Sequence, residues 1–164
     1  MTFAHAIFAV VVRAQYQSMA IDSHVDRDSL GALRLPYSGN LTQSAARKLI
    51  EQQAAVLVDV RTAEERRFVG YVPGSLHLPW LVGPSMQPNP HFVSELEAKV
   101  PKYAIVLFLC RSGARPVAAA TAAARAGFRH VYNILETFEG GLDRCGYRGS
   151  RNGWRFRDLH WVWN

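Results

Sequence analysis

Cys110, Arg111 and Arg115 fall within one short stretch, CRSGARP, set between two contrasting runs. The run before it, Ala104 to Leu109, is apolar, partly β-branched and preceded by Lys102, which predicts a buried parallel strand. The run after it, Val117 to Ala126, is alanine-rich and predicts a helix. Pro116 suits the first helical turn, where its missing N–H needs no partner. Cys110 is therefore expected at the carboxyl end of a strand, in a tight loop entering a helix. Backbone N–H groups converge at such a place and the helix dipole adds positive charge, so anions and activated thiols are favoured. Two arginines in the same loop should push the thiol toward thiolate, the nucleophilic form. An inert buried cysteine would need none of this. Several reactions could still use such a thiol.

The elements that must position this loop alternate in type. Thr42 is expected to cap a helix running to Gln53, with Ala45, Leu49 and Ile50 on its apolar face. Ala55 to Val60 reads as a buried strand carrying Asp59 near its end and followed by Arg61. Thr62 with Glu65 three residues on has the form of a capping box, opening a short helix to about Phe68. A turn at Val72 to Ser75 leads to a strand at Leu76 to Leu78, then a Pro- and Gly-rich loop over 79–90. A helix follows over His91 to Val100, with Phe92, Leu96 and Val100 on one face. Beyond the alanine-rich helix, Gly127 is a C-cap and His130 to Leu135 is a further strand. This order predicts an α/β fold with a central parallel five-stranded sheet and helices on both faces. Active sites in such sheets lie at the carboxyl ends of the strands, which groups Asp59, Arg61 and Cys110 along one edge.

With 164 residues, one domain is the simplest division. A loose arm is expected over residues 1–36 and the folded domain over 37–164. Phe3 to Val12 is apolar like a signal-peptide core, but no basic residue precedes it and Ser18-Met19-Ala20 matches a cleavage site poorly, so a cytoplasmic location is expected. A translation start at Met19 would remove the segment altogether. The two cysteines exclude a disulfide framework and a four-cysteine zinc site. No metal site is predicted, because the six histidines are scattered. Net charge is +6, with 16 arginines against 3 lysines. Guanidinium is a planar fork suited to oxyanions, although codon bias would produce the same surplus.

Four strings together resemble a single-domain rhodanese: DVRTAEE at Asp59 to Glu65, GYVPGSLHLPW at Gly70 to Trp80, CRSGAR at Cys110 to Arg115, and FEGGLD with NGW at Trp154. Their order and spacing match that family from about Leu41 to Trp161. The resemblance implies a sulfurtransferase that takes sulfane sulfur from thiosulfate or a similar donor onto a cysteine, then passes it to cyanide or a thiol acceptor. It implies Cys110 as the persulfide carrier and no cofactor. Arg111, Ser112, Gly113, Ala114 and Arg115 would form the loop, the two arginines binding the small anionic donor. Asp59 and Arg61 would brace the site, with Arg61 paired to Glu65, Glu64 or Asp59. A sulfur-acceptor protein is a conceivable partner; nucleic acid and membrane are not expected ones. Departures from the family are Tyr71 where a histidine usually stands, one extra residue between Asp59 and Pro73, Pro116 after the loop, and Asp158-Leu159-His160 near the end.

Loop length separates related chemistries. Cysteine phosphatases, including those of rhodanese fold, use a wider C-x5-R cradle that holds a tetrahedral phosphate. Cys110 and Arg115 enclose four residues, and the tighter cradle suits a single sulfur atom. The alternatives are a sulfur-relay or binding module serving one protein partner, or a phosphatase or arsenate reductase. Cys145 is expected to be a surface or packing cysteine. His77 and Trp80 are expected to cover the core, with a place at the pocket mouth as the alternative. Arg144, Arg148, Arg151, Arg155 and Arg157 alternate with aromatics, but Asp143 and Asp158 dilute their charge.

Overall fold

The computed structural model describes residues 35–111 and 114–163. The arm and signal-like segment expected over 1–36 lie outside these residues, save for the last two. Seven strands and four helices follow in order: β1 (Gly39–Leu41), α1 (Gln43–Glu51), β2 (Ala55–Asp59), α2 (Ala63–Val69), β3 (Leu76–His77), β4 (Leu81–Val82), β5 (Gln87–Pro88), α3 (Phe92–Lys99), β6 (Ile105–Leu109), α4 (Ala114–Arg125) and β7 (His130–Ile134).

Five strands form one parallel sheet in the order β1-β7-β6-β2-β3. Strand β6 is central and buried throughout, as its unbroken apolar run requires. Its side chains alternate between two cores. Val106, Phe108 and Cys110 join the core that holds Phe92 and Leu96 of α3 and Ala119, Ala120 and Ala123 of α4. Leu107 and Leu109 join the core that holds Leu41, Ala46 of α1, Phe138 and Trp154. Helices therefore cover both faces, and the period of two along β6 decides which face Cys110 shares.

The local signals acted where expected. Thr42 Oγ1 accepts from Ala45 N–H at 3.3 Å and starts α1. The Thr62–Glu65 capping box is complete in both directions. Two elements were not anticipated. Strand β1 has only three residues, two of them Gly39 and Asn40, and is a strand because β7 pairs with it. Residues 79–90, expected as loop, contain a hairpin in which Leu81 pairs with Pro88 and Val82 with Gln87. Strands of two residues are too short to show alternation.

The connections place a topological switch between β2 and β6. After β2 the chain moves outward to β3; after β6 it moves the opposite way to β7. Asp59 and Leu109 are register partners at the carboxyl ends of these two strands. The crevice of such a sheet opens there. No helix among the described residues is long and apolar enough to cross a membrane.

Candidate active site

Cys110 is the first residue beyond β6 and is fully buried. Its carbonyl oxygen accepts from Phe138 N–H at 2.8 Å. The carbonyl of Arg111 accepts from the Thr137 hydroxyl. Ser112 and Gly113, expected in the loop, lie outside the described residues. Ala114 opens α4, so the helix starts three residues before the alanine-rich run, with Pro116 in its first turn as anticipated.

Asp59 and Arg61 form a closed pair with no exposed side-chain surface. Arg61 Nε donates to Asp59 Oδ1 at 2.8 Å and Nη2 to Oδ2 at 2.6 Å. Nη2 also donates to the Gly70 carbonyl at 2.9 Å, and the guanidinium lies 4.0 Å over the Phe138 ring. Of the three partners considered for Arg61, Asp59 is the one found. A charge this deeply buried needs such matching, since an unpaired one would be expensive. The pair ties the end of β2 to the segment after β7 through the Phe138 ring.

Arg115 and Arg111 each face a carboxylate, a partner that the sequence did not disclose. Arg115 donates from Nη1 and Nη2 to Glu65 Oε2 and Oε1, at 2.5 and 2.7 Å. Arg111 Nε donates to Glu139 Oε2 at 2.5 Å. The Glu65 hydrogen bond raises the Arg115 pKa above its ordinary value against the effect of burial, and the charges of Glu65, Cys110 and Asp59 add to the rise. Burial pushes Glu65 up, but bonds from Arg115 and the Thr62 N–H, with the charges of Arg115 and Arg111, outweigh it and hold the carboxyl below its ordinary range. Bidentate guanidinium–carboxylate geometry of this kind is both strong and directional.

The segment after β7 supplies residues that sequence reasoning passed over. Glu136 and Thr137 both have positive φ, 60° and 53°, which non-glycine residues adopt only under constraint. The bend turns Thr137 and Phe138 back onto the Cys110 loop. The Thr137 carbonyl accepts from Gln43 Nε2 at 2.7 Å and from Trp154 N–H at 2.8 Å, which secures it. Glu139 lies 3.8 Å from Arg155, whose guanidinium sits 4.4 Å over Trp161. Glu139 stands within FEGGLD, a string that carries the family resemblance but gives no hint of a partner for it. Glu65 was read as a cap, which it is, and its second partner stands 50 residues away.

The remaining candidates fall to one side. Cys145 is an exposed thiol. His77 Nε2 lies 2.9 Å from the Arg61 carbonyl, and Trp80 packs edge-on against Phe92 at 5.0 Å, so both sit in the scaffold. Tyr71, in the family's histidine place, lies under Arg66 at 4.3 Å. Four of the tail's arginines are engaged internally: Arg148 on the Gly140 carbonyl, Arg151 on the Leu142 carbonyl, Arg155 on Trp161 and Arg157 on Glu136. A cleft of about 600 Å³ lies beside the site, between Thr62 to Glu65 and the β4–β5 hairpin.

The model of the rhodanese-like domain matches residues 42–143. The chain belongs to the rhodanese-like domain family. An uncharacterized protein of Rickettsia rickettsii is 37% identical over 114 residues, covering 66% of this chain and 89% of its own. An uncharacterized protein of Rickettsia conorii is 36% identical over the same length. Among solved structures, Rv0390 from M. tuberculosis is 38% identical with a TM-score of 0.70, covering 78% of this chain and 99% of its own. The Alr3790 protein from Anabaena, 16% identical with a TM-score of 0.50 over 59% of this chain and 80% of its own, shares the fold alone. The rhodanese-like fold is thus the frame on which Cys110 is carried.

Proposed function

We propose that this chain is a thiosulfate-type sulfurtransferase working through a Cys110 persulfide. The observation that carries the reading is the position of Cys110, directly after the central strand and at the switch point, with the Asp59–Arg61 brace at the end of the neighbouring strand. In the first half-reaction the Cys110 thiolate attacks the outer sulfur of the donor. A new S–S bond forms, the donor's own S–S bond breaks, and sulfite leaves with the electron pair when thiosulfate is the donor. In the second half-reaction cyanide or a thiolate attacks the outer sulfur of the persulfide, and Cys110 leaves as thiolate. Neither half-reaction needs a cofactor or a net redox partner.

The chain's own residues hold and neutralise. The Phe138 N–H and Thr137 hydroxyl fix the backbone of Cys110 and Arg111, so the nucleophile does not drift on reaction. The charge of Cys110 adds to the rise in the Arg115 pKa, and Arg115 would steady the persulfide anion in turn. A small anionic sulfur donor, and cyanide or a thiol as acceptor, are the partners this chemistry calls for. The test is thiosulfate:cyanide turnover together with intact mass after thiosulfate treatment. Wild type should gain one sulfur atom and Cys110→Ser none. Equal gain by both proteins sinks the mechanism.

A further inference from the structure

The electrostatics of the loop bear on which donor it takes. Arg115 is gripped by Glu65 through two parallel bonds, and Arg111 by Glu139 through one. The first pair is mostly out of water, with side chains 15% and 16% exposed, so solvent screens it weakly. Glu65 is not a passing partner. Its Oε2 also accepts from Thr62 N–H at 3.1 Å, and Thr62 Oγ1 accepts from Glu65 N–H in return. The carboxylate is therefore fixed by its own helix start. Glu139 is more buried still, at 8%, and Arg155 stands behind it.

A thiosulfate dianion would need guanidinium hydrogens to receive its sulfonate end. Glu65 accepts one hydrogen from each Nη of Arg115, and Glu139 accepts the Nε hydrogen of Arg111. A dianion received on the guanidinium hydrogens that remain places an extra negative charge close to a carboxylate already there. Like charges in a poorly screened place repel strongly. A sulfane donor with less charge meets a smaller penalty.

We infer that Glu65 and Glu139 set the donor class: by neutralising the charges of Arg115 and Arg111 they favour singly charged or neutral sulfane-sulfur donors, organic thiosulfonates or persulfides, over dianionic thiosulfate. The inference rests on the Cys110 persulfide reading and narrows its donor. With a thiosulfonate the Cys110 thiolate attacks the terminal sulfur, the bond from that sulfur to the sulfonyl group breaks, and a sulfinate leaves with the electron pair. The persulfide formed is the same one that thiosulfate would give, so the two donors differ in leaving group and in one unit of charge.

The experiment measures kcat/KM for benzenethiosulfonate and for thiosulfate, with cyanide as acceptor, in the full chain and in Glu65→Gln and Glu139→Gln. The quantity read is the thiosulfonate-to-thiosulfate ratio in each variant relative to wild type, which cancels the donors' intrinsic reactivity. Removing the competing charge should lower that ratio about tenfold in Glu65→Gln, the scale expected for one hydrogen-bonded charge. Glu139→Gln should move it the same way. A merely structural role would slow both donors by one factor and leave the ratio alone. If Glu65→Gln does not fold, Glu139→Gln decides by the same criterion. A ratio within about twofold of wild type in every variant that folds overturns the inference while leaving sulfur transfer intact. If neither donor adds a sulfur atom to Cys110 in wild type, the sulfur-transfer reading fails and the inference fails with it.

Discussion

Phe138 holds Cys110 by its backbone N–H, 2.8 Å from the Cys110 carbonyl, while its ring lies under the Arg61 guanidinium at 4.0 Å. One residue of the segment after β7 thus touches both halves of the candidate site, Cys110 at the end of β6 and the buried Asp59–Arg61 pair at the end of β2. The brace is local in sequence, with Asp59 and Arg61 two residues apart, but its outer surface is built from the far end of the chain.

Asp59→Asn should be strongly destabilising. It leaves the Arg61 charge buried without its carboxylate, which costs about 3–5 kcal/mol in comparable pairs. The urea unfolding midpoint reports this. A loss below about 1 kcal/mol would mean that the pair does not brace the site.

Arg115→Ala frees the Glu65 carboxylate to act on the loop uncompensated. The variant should lose more kcat/KM with thiosulfate than with benzenethiosulfonate, by about tenfold, since the dianion feels the new charge more. Equal losses with both donors would place Arg115 in the scaffold rather than beside the donor.

Acid should act partly through Glu65. Its folded pKa is depressed below the ordinary value of 4.5, chiefly by Arg115 and the Thr62 N–H acting against burial. A depressed carboxyl contributes stability that is complete above the unfolded pKa and is lost as pH falls through the folded one. Wild type should therefore lose stability as pH drops below 4.5, and Glu65→Gln should lose less over the same range. Chemical denaturation at several acidic pH values compares the slopes; identical slopes would remove Glu65 from the acid response.

Two glycines near the tail test packing against backbone strain. At Gly140, with φ +74°, an added Cβ would stand 2.1 Å from the Asn152 carbonyl oxygen. At Gly146, with φ +84°, it would meet nothing within 4 Å. Gly146→Ala should cost about 1 kcal/mol from strain alone, and Gly140→Ala distinctly more. Thermal melting of the two variants side by side checks the order.

What the sequence disclosed was local. The Thr62 cap, the Asp59–Arg61 pairing option, the apolar run of β6 and the helix after Pro116 all depend on neighbours within a few residues, where physics is nearly independent of the fold. What it concealed was long-range. Glu65 meets Arg115 across 50 residues, and Glu139 meets Arg111 across 28. A glutamate among arginines looks the same whether it faces water or a catalytic loop. Strand β1 was hidden for a related reason. Gly39-Asn40-Leu41 has no strand character of its own and takes it from β7. The bend at Glu136 and Thr137 left no trace either, because neither residue type advertises a left-handed backbone.

The close approach of Asn152 to Gly140 bears on how small a working piece can be. A fragment cut at residue 143, where the family match stops, keeps every strand of the sheet and Cys110 itself. It discards Trp154, Leu159 and Trp161, which close the core over Phe138, and the Trp154 N–H that anchors Thr137. Water would then reach the ring beneath Arg61 and the strained bend beside Cys110. The recognisable motif is shorter than the portable unit, and excision or grafting of this loop has to carry the last turns of the chain along with it.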